Sequence, residues 1–438
     1  MHDAQCLQCA SALLKQAQSH SAMADLVRAA VTRNEQWRGQ QCINLVAAES
    51  PTSPSVRALL SSEVGTRASG GHIGRDNRFF SGMKNIDELE SLCVELLKMT
   101  FDAQYADHRL MGGMAAVLAA YTALTRPGDS IMTVSVIRGG DTSNRMNGPP
   151  GVRGLKVWDI PFTPKTGEVD LDRLSEMARA LRPQVIGLGM TLTLFALPVR
   201  EIKNIVSPWG GKVYYDAAHQ LGLIASGLFQ DPLNEGADLM TGSSGKTFSG
   251  PQGGIMVWND PELTVPINTA IFPTLTGSHQ INRVAALAVA ATELLEYGTA
   301  YMKQVVRNAR ALARSLENQG VTVFYREQGY TQTHQIVMDS KPFECGRDAV
   351  QRLEAANIIT NEMPLPWDVD PHRETGIRLG TVEITRLGMK EAEMGWIAEQ
   401  IAKVLLRRED PMAVANGVID FMKGYTKVYY CHEQGLPQ

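Results

Sequence analysis

A lysine and an aspartate, Lys246 and Asp216, each follow an apolar segment and could together perform chemistry. Lys246 lies in the stretch TGSSGKTFSGPQGG, directly after the apolar run ADLM. A phosphate-binding P-loop places four residues between its glycines, whereas only two separate Gly242 from Gly245, so this motif is excluded. Asp216 ends the segment GKVYYD. Because open α/β sheets bind ligands at the carboxyl ends of their strands, we expect both side chains at one sheet edge.

This pair of residues matches the needs of the coenzyme pyridoxal 5'-phosphate (PLP). In a PLP site, a lysine holds the coenzyme aldehyde as a Schiff base and later carries the substrate's α-proton. A buried carboxylate keeps the pyridine nitrogen protonated, so that the ring accepts electrons from the α-carbon. The spacing of Asp216 and Lys246 alone is common in unrelated chains, so the prediction depends on further groups.

A glycine pair offers a candidate site for the coenzyme phosphate. Gly112 and Gly113 begin the predicted helix GMAAVLAAYTAL, and the free amides of a helix N-terminus favour anions. Such a pair also occurs in ordinary tight loops. Ser243 and Ser244, just before Lys246, would add two hydroxyl donors.

Two further residues could face the coenzyme or the substrate. His219 lies three residues after Asp216, although a single histidine is more often a core residue with a hydrogen-bond partner. Arg378, in GIRLGT, is predicted to bind a substrate carboxylate, because guanidinium and carboxylate pair through two hydrogen bonds. A surface ion pair is the alternative role for this arginine.

The elements that must position these residues alternate along the chain from about residue 85. The strand segments SIMTVSV, GLKVWDI, PQVIGLGMTL and GKVYYD, with helical segments among them, predict a parallel sheet covered on both faces. A long amphipathic helix over roughly 281–318 precedes a smaller α+β region with strands VTVFY, THQIVMD and GIRLGT. We predict a helical segment over 1–40, a PLP-binding large domain over 41–300 and a small domain over 301–438.

Composition excludes several classes of function. The net charge of −4 offers no basic surface to nucleic acid or anionic lipid, and no run of 18 apolar residues predicts a membrane span. The N-terminus lacks a secretory signal pattern. Cys6 and Cys9 form a C-x-x-C pair, but no second pair follows at metal-site spacing. We therefore expect a reduced, cytoplasmic protein without a metal site.

Five motifs together resemble the serine hydroxymethyltransferase family over roughly residues 40–410. They are INLVAAESPTSPSVR, YTALTRPGD, YDAAHQLGLIASG, SSGKTFSGPQGG and TGIRLGT…ITRLGM, and they occur in the family's order. The resemblance implies the α/β class and the fold-type I, aspartate aminotransferase-like architecture of PLP-dependent enzymes. This architecture has a large domain with a mostly parallel seven-stranded sheet and a smaller C-terminal α+β domain.

The resemblance also implies roles for individual residues. Lys246 matches the Schiff-base lysine, Asp216 the partner of the pyridine nitrogen and Arg378 the arginine that binds the substrate carboxylate. His219 and Thr191 match groups beside the phenol oxygen of the coenzyme. An amino acid is therefore the expected small-molecule substrate.

The phosphate contacts implied by the resemblance come from two subunits. Gly112, Gly113 and Met114 match the phosphate cup of the family. Gly277 and Ser278, in FPTLTGSHQ, match a loop that reaches the phosphate of the partner subunit. A homodimer is therefore expected, with a tetramer as the alternative.

The loop TRASGGHIGRDNRFFSG departs from the family pattern. A tyrosine, a glutamate and a tyrosine pair, which handle the substrate hydroxyl and the folate, are replaced by Ala68, Gly70, Phe79 and Phe80. Because Asp76–Asn77 is an insertion, a local realignment that returns His72 or Arg75 to the site stays open.

Three further departures surround the coenzyme lysine. Asp141 stands where the family's histidine stacks on the coenzyme ring, Gly245 replaces a histidine, and Ala48 replaces a serine near the substrate carboxylate. A carboxylate above the ring would stabilise a cationic imine. The ordinary role of Asp141 would be to cap the turn that follows it.

These departures favour β-elimination from a cysteine S-conjugate or a similar β-substituted amino acid. Loss of the glutamate removes an acid–base group worth roughly 10²–10⁴ in rate, but a thiolate departs without such a donor. The pattern resembles enzymes of lincosamide-type natural-product (antibiotic) pathways, which also include decarboxylation coupled to oxidative deamination. The alternatives are threonine transaldolase, aldolase or hydroxymethyltransferase chemistry, and a PLP-binding protein without turnover.

Overall fold

A computed structural model describes residues 2–163, 167–340, 343, 345–365, 368 and 374–437. The strands are β1 Ile43–Asn44, β2 Tyr105–Asp107, β3 Ser130–Thr133, β4 Lys156–Asp159, β5 Val185–Gly189, β6 Lys212–Asp216, β7 Leu239–Ser243, β8 Gly254–Trp258, β9 Gln335–Asp339, β10 Ile358–Ile359, β11 Asn361–Met363 and β12 Gly376–Gly380.

Helices connect and cover these strands. They are α1 Ala4–Gln16, α2 His20–Gln36, α3 Pro54–Leu60, α4 Lys84–Phe101, α5 Gly113–Leu124, α6 Pro149–Val152, α7 Leu171–Leu181, α8 Val199–Val206, α9 Leu221–Ala225, α10 Pro232–Glu235, α11 Thr264–Ile271, α12 Ile281–Asn318, α13 Gly346–Ala355, α14 Val382–Arg386, α15 Glu391–Leu405 and α16 Pro411–Met422. A π-helical turn, Trp37–Gln41, follows α2.

The central sheet has seven strands in the order β2-β8-β7-β6-β5-β3-β4. All its neighbouring pairs from β7 to β4 are parallel, whereas β8 is antiparallel to both β7 and β2. The predicted mostly parallel seven-stranded sheet is therefore confirmed. Its parallel strands end at one edge, where β6 terminates at Asp216 and β7 leads into the turn of Lys246.

Both faces of this sheet are buried, as expected for parallel strands joined by helices. Successive residues of β5 show the alternation, because Val185 packs in the cluster formed with α5 and α11. Its neighbour Ile186 packs in the cluster formed with α4, α7, α8 and the first part of α12. The alanine-rich sequence of α5 allows close packing on the strands, and Ala116, Ala119 and Ala120 are buried there.

The C-terminal region has its own antiparallel sheet, in the order β11-β12-β9. Arg378 lies in the central strand β12, opposite Val337 of β9 and Asn361 of β11. The predicted strand VTVFY is wrong, because Val323 forms only an isolated bridge to Met338. Its extended conformation ends where Tyr325 adopts a left-handed φ of 65°.

The long helix α12 matches the predicted range and joins two hydrophobic clusters. Its first half, including Leu287 and Leu294, packs against the central sheet. Its second half, including Leu312 and Leu316, packs in the C-terminal cluster. The helix is continuous through residue 300, so the predicted domain boundary there stays a prediction.

The N-terminal segment forms the predicted helices but buries none of their residues. Asp3 caps α1 and Ser19 caps α2, each through a side-chain oxygen that accepts a backbone amide. Leu7 and Val27 are among the exposed apolar side chains of this segment. Across the described ranges, no helix combines the length and apolar character that spanning a membrane requires.

Candidate active site

Asp216 is a buried carboxylate at the end of β6. Its Oδ2 accepts a hydrogen bond from Asn144 Nδ2 at 3.0 Å, and its Oδ1 accepts one from the Ala218 amide at 3.1 Å. Burial and then the negative charge of Asp141 raise the pKa of Asp216 to about 6, against the opposing effects of Lys246 and Asn144. A buried carboxylate of this kind is suited to a cationic partner such as a protonated ring nitrogen.

Asn144 and Tyr121 form a support for Asp216 that sequence reasoning missed. The Tyr121 hydroxyl donates to Asn144 Oδ1 at 2.8 Å, which directs the amide nitrogen towards Asp216. Gly189 provides the space, because a Cβ at this position would lie 2.2 Å from Asn144 Nδ2. In the sequence, Gly189 at the end of a strand indicates a close approach of some other group, but it does not identify that group as Asn144.

Lys246 lies in the turn after β7 and is partly exposed. Burial lowers the pKa of its amine, whereas the carboxylates of Asp216 and Asp141 act in the opposite direction. A lysine with a lowered pKa has more of the neutral amine needed for a nucleophile or a base. The turn is held by a hydrogen bond from the Ser249 amide to the Lys246 carbonyl, at 2.9 Å.

The residue before this lysine is a glycine for a local steric reason. A Cβ at Gly245 would lie 2.6 Å from the side-chain amide of Gln252. The side chain of Gln252 therefore occupies the space next to Lys246 into which a larger residue at position 245 would extend.

The glycine pair and the two serines lie near one another, at the start of α5. A Cβ on Gly113 would be 3.3 Å from Ser243 Cβ, so the helix N-terminus and the end of β7 are in contact. Ser244 is buried, and its hydroxyl donates to the Pro251 carbonyl at 2.6 Å, so it supports the lysine turn. Met114 is 56% exposed, and its backbone amide lies in the first turn of α5, where amides have no partner within the helix.

His219 is buried in a polar layer beneath Thr191. Gln335 Nε2 donates to His219 Nδ1 at 3.1 Å and to the Thr191 carbonyl at 3.0 Å. The ring of His334 lies nearly parallel to that of His219, with centroids 6.0 Å apart. Burial, followed by the charge of Lys246, lowers the pKa of His219 well below its usual value, so this ring is neutral. Gln335 was missed because no sequence motif marks it.

Arg378 is a buried guanidinium without a carboxylate partner among the residues described. It is 5% exposed, and its Nη1 donates to the Thr191 carbonyl at 2.7 Å. Its Nη2 donates to Asn361 Oδ1 at 3.1 Å. Burial lowers the pKa of Arg378 to about 10, with Asp141 acting in the opposite direction. Because a buried charge requires a counter-charge, this site is suited to a substrate carboxylate.

Asp141 performs the capping role and also faces the charged groups. Its Oδ1 accepts the Ser143 amide at 2.8 Å, and its Oδ2 accepts the Thr191 hydroxyl at 2.5 Å. Burial would raise the pKa of Asp141, but these hydrogen bonds outweigh it and lower the pKa. Asp141 is therefore an anion whose charge acts on Lys246, Asp216 and Arg378.

The loop over 68–80 and the residues Gly277 and Ser278 form a separate, partly exposed group. The Ser69 amide donates to Ser278 Oγ at 3.4 Å, and a Cβ on Gly70 would lie 3.6 Å from the Gly277 carbonyl. Ala68, Phe79 and Phe80 are exposed. Within the described part of this chain, no hydrogen bond joins this group to Lys246 or Asp216.

His72 and Arg75, which an alternative alignment of the loop would bring to the site, also lie in this separate group. His72 Nδ1 accepts a hydrogen bond from Arg109 Nη1 at 3.1 Å, and its ring contacts Phe272. Arg75 is exposed. Neither His72 nor Arg75 therefore lies at the coenzyme site of its own chain. That either residue contributes to the coenzyme site of a second subunit stays a prediction.

The residues at the sheet edge fit PLP. Asp216 provides the buried carboxylate, Lys246 the reactive amine and Gly113 an open helix N-terminus. The buried guanidinium of Arg378 provides the site for the amino-acid carboxylate. Together they would hold the ring nitrogen, the aldehyde carbon, the phosphate and the substrate.

Comparisons with known proteins agree with this site. The family model described as serine hydroxymethyltransferase matches residues 22–401. The serine hydroxymethyltransferase of Methanopyrus kandleri is 42% identical over 409 residues, covering 93% of this chain and 95% of that protein. That of Pyrococcus furiosus is 41% identical over 415 residues, covering 93% and 96%.

A solved structure gives the same fold. L-threonine transaldolase from Pseudomonas fluorescens, crystallised in its internal aldimine state, superposes with a TM-score of 0.87. It is 26% identical, and the match covers 96% of both chains. The predicted fold-type I architecture, the PLP coenzyme and the assignment as an enzyme are confirmed by these matches. This chain belongs to the serine hydroxymethyltransferase family.

Proposed function

We propose that this chain is a divergent member of its family that catalyses β-elimination from an amino acid. The best substrate class is a cysteine S-conjugate or a similar β-substituted amino acid, from which a thiolate departs. The observation that carries this proposal is a contrast between the sheet edge and the 68–80 loop, which this proposal assigns to the site of a second subunit. The groups for chemistry at the α-carbon are assembled, whereas the 68–80 loop has Ala68, Gly70, Phe79 and Phe80 in place of proton-transferring side chains.

Substrate binding in this proposal depends on Arg378. Its guanidinium is held in place by the Thr191 carbonyl and Asn361 Oδ1, so the direction of its remaining N–H groups is fixed. A carboxylate bound there would supply the missing counter-charge and fix one end of the amino acid. Orientation of this kind decides which bond to the α-carbon is broken.

Proton removal in this proposal depends on Lys246. PLP, when bound, supplies the electron sink that makes the α-proton acidic. Burial lowers the pKa of the Lys246 amine, which increases the share of neutral amine that can accept this proton. Asp216 supports the electron sink through its buried charge, and Asn144 with Tyr121 keeps that carboxylate in position.

Departure of the β-substituent then needs no acid from the protein. The electron pair of the broken carbon–sulfur bond leaves with sulfur, because thiols have a pKa of about 8.5 and thiolates are stable leaving groups. The released unsaturated amine takes up water and gives pyruvate and ammonium. Hydroxide is a far poorer leaving group, and its departure would need a general acid worth roughly 10²–10⁴ in rate.

Carbon–carbon bond chemistry is the second candidate. It is supported by the fold shared with the threonine transaldolase and by the 41–42% identity to proteins named serine hydroxymethyltransferase. In this alternative, the second subunit would supply the acid–base groups, with His72 as the candidate. Decarboxylation coupled to oxidative deamination is a further alternative on the same substrate class, and it would consume oxygen.

A homodimer is part of this proposal. Gly277 and Ser278 are exposed together with Phe79, whose side chain is 72% exposed in the single chain. A loop that completes the phosphate site of a second subunit would have this exposure. Sedimentation equilibrium of the purified protein tests the association, and a mass of one chain at all concentrations would reject it.

The decisive experiment compares products from matched substrates. The purified protein with PLP is incubated with S-ethyl-L-cysteine, with L-threonine plus an aromatic aldehyde, and with L-serine plus tetrahydrofolate. Elimination predicts equal amounts of ethanethiol and pyruvate from the first substrate. Acetaldehyde from threonine, with no thiol from the conjugate, would replace the proposal with transaldolase chemistry. Carbon dioxide release with oxygen uptake would indicate the oxidative alternative. Lys246→Ala is the negative control in each assay.

A further inference from the structure

Three buried side chains from distant parts of the sequence converge outside the candidate active site. Glu90 lies in α4, His108 follows β2, and His279 lies in the loop before α12. They are 1%, 2% and 3% exposed, respectively. Their donor atoms all lie within 4.8 Å of one another. No sequence spacing marks this group, because the fold alone brings its members together.

Both histidine rings face one oxygen atom of Glu90. His108 Nε2 lies 2.9 Å from Glu90 Oε1, and His279 Nε2 contacts the same oxygen more closely than a normal hydrogen bond allows. In a tetrahedral zinc site the ligand atoms are roughly 3.3 Å apart, because the bonds are about 2.0–2.1 Å long. Small side-chain shifts would therefore place an ion between the three donors.

The hydrogen bonds of the group indicate how a metal ion would be accommodated. Both histidine rings now contact Glu90 Oε1 through Nε2, so one proton is shared in each contact. Metal ligands bind through unprotonated atoms, and a divalent ion would therefore take the place of these protons and release them to solvent.

Charged neighbours orient the carboxylate and balance one another. Arg78 contacts Glu90 Oε2, the oxygen that faces away from the histidines, and also pairs with Asp87 at 2.8 Å. Arg109 pairs with Asp107, with Nε and Oδ2 at 2.9 Å. The two arginines are thus matched by two further carboxylates. Partners of this type fix the orientation of a ligand carboxylate.

A cavity gives the group a route to solvent. It measures about 360 Å³ and is lined by Glu90 and His108, together with Tyr105, Thr264 and Asn268. A site with three protein ligands and an accessible fourth position is typical of zinc bound by two histidines and a glutamate. The cavity borders two of the three donor residues, Glu90 and His108, and would provide an ion with an entry path and room for a fourth ligand.

We propose that Glu90, His108 and His279 bind one divalent transition-metal ion, with zinc favoured by the donor set. The proposal differs from the sequence-based expectation of a protein without a metal site, which the experiment below tests. The ion would join α4 to the loop that carries Gly277 and Ser278. The Ser69 hydroxyl already donates to the His279 carbonyl at 2.7 Å, so the same ion would also stabilise the start of the 68–80 loop.

The test measures metal binding by the PLP-loaded protein without an affinity tag. Cys6→Ser and Cys9→Ser form the background, because these exposed thiols are competing zinc ligands. After treatment with a chelator, the protein is titrated with Zn²⁺ and its metal content is measured by mass spectrometry. Co²⁺ serves as a second probe, whose visible absorption reports the coordination geometry. His279→Ala and Glu90→Gln remove ligands, and His20→Ala is the control at an exposed histidine.

The proposal predicts one Zn²⁺ per chain in the parent and in His20→Ala, and at least a tenfold weaker affinity in both ligand variants. It also predicts a lower melting temperature after chelation in the parent but not in His279→Ala, because a ligand of the folded state stabilises it. Absence of bound metal in the parent, with the histidines serving only as hydrogen-bond donors, would overturn the proposal. Unchanged Zn²⁺ binding in Glu90→Gln would overturn it as well. This variant keeps the size of the side chain, so it serves as the test if His279→Ala fails to fold.

Discussion

The sheet edge that carries Asp216 and Arg378 and the 68–80 loop differ in the hydrogen-bond partners that position their side chains. At the sheet edge, Asp216 has two hydrogen-bond donors, and Asn144 is in turn held by Tyr121. Arg378 is oriented by two acceptors and still needs an anion. In the loop, Phe79 is exposed, and a Cβ on Gly70 would be 3.2 Å from the ring of Phe80.

This difference is the basis of the proposed reaction. A fully satisfied buried polar network holds its members rigidly in place. The network behind Asp216 therefore keeps this carboxylate in position for the proposed chemistry at the α-carbon. In the proposed elimination, the 68–80 loop transfers no proton to the β-substituent, so mutations on the two sides should have very different effects.

The largest effect is expected from Lys246→Ala. Loss of the amine removes both the covalent attachment of PLP and the base for the α-proton, so turnover should fall by more than about 10⁴-fold. The visible absorbance of the bound coenzyme should change in the same variant. Lys303→Ala, at an exposed position of α12, is the control and should leave both signals unchanged. Activity that survives in Lys246→Ala would show that Lys246 is not the reactive amine, and the sheet edge would then not be the site of chemistry at the α-carbon.

Asp216→Asn should weaken PLP binding but stabilise the apo protein at high pH. The pKa of Asp216 is raised to about 6 in the folded state from 3.8 in the unfolded chain. Its contribution to stability is therefore fully present below about pH 4 and is lost as pH rises through 6. Above that pH the buried charge costs about 2–3 kcal/mol, since each pKa unit corresponds to about 1.4 kcal/mol.

Urea unfolding of the two apo proteins measures this effect. The free energy of unfolding of Asp216→Asn should exceed that of the parent at pH 8, and the two should converge at pH 4. Asp420→Asn, at an exposed ion pair, is the control and should show no such divergence. A parent that is more stable than Asp216→Asn at pH 8 would show that the carboxylate is already compensated without the coenzyme.

Arg378→Lys tests the substrate side of the sheet edge. Lysine keeps the charge but loses the two-pronged geometry for a carboxylate, so KM should rise by about 10–100-fold. The coenzyme absorbance should stay unchanged, because Arg378 contacts Thr191 and Asn361 and not Lys246. Arg347→Lys, at an exposed ion pair with Glu362, is the matched control. An unchanged KM in Arg378→Lys would place the carboxylate site elsewhere.

The sequence predicted the parts of this site that follow from strand ends and strong periodicity. Asp216, Lys246 and Arg378 lie at or near strands whose apolar patterns are clear, and α12 has the range that its amphipathic pattern predicts. Glycine pairs and turn residues similarly indicated the start of α5.

The missed residues act through contacts that no local pattern encodes. Asn144 and Gln335 reach the site from a short turn and from the small sheet, so their roles depend on how these elements pack. Glu90 and His279 are 189 residues apart and meet only in the folded chain. The predicted strand VTVFY pairs with β9 only through the isolated bridge of Val323, and the left-handed conformation of Tyr325 ends the segment.

The smallest effect is expected from Phe79→Tyr in the 68–80 loop. Phe79 is 72% exposed and its ring lies 5.6 Å from that of Phe272, so an added hydroxyl can be solvated without disturbing the core. If elimination of a thiolate needs no acid from this loop, kcat/KM for S-ethyl-L-cysteine should change by less than about threefold, well below the 10²–10⁴ of a general acid. Phe80→Tyr, the neighbouring exposed position, should behave in the same way. A rise of tenfold or more in threonine cleavage in either variant would mean that the loop still reaches the reacting β-substituent. The loop would then differ from a proton-transferring loop only in the hydroxyl groups that Phe79 and Phe80 lack.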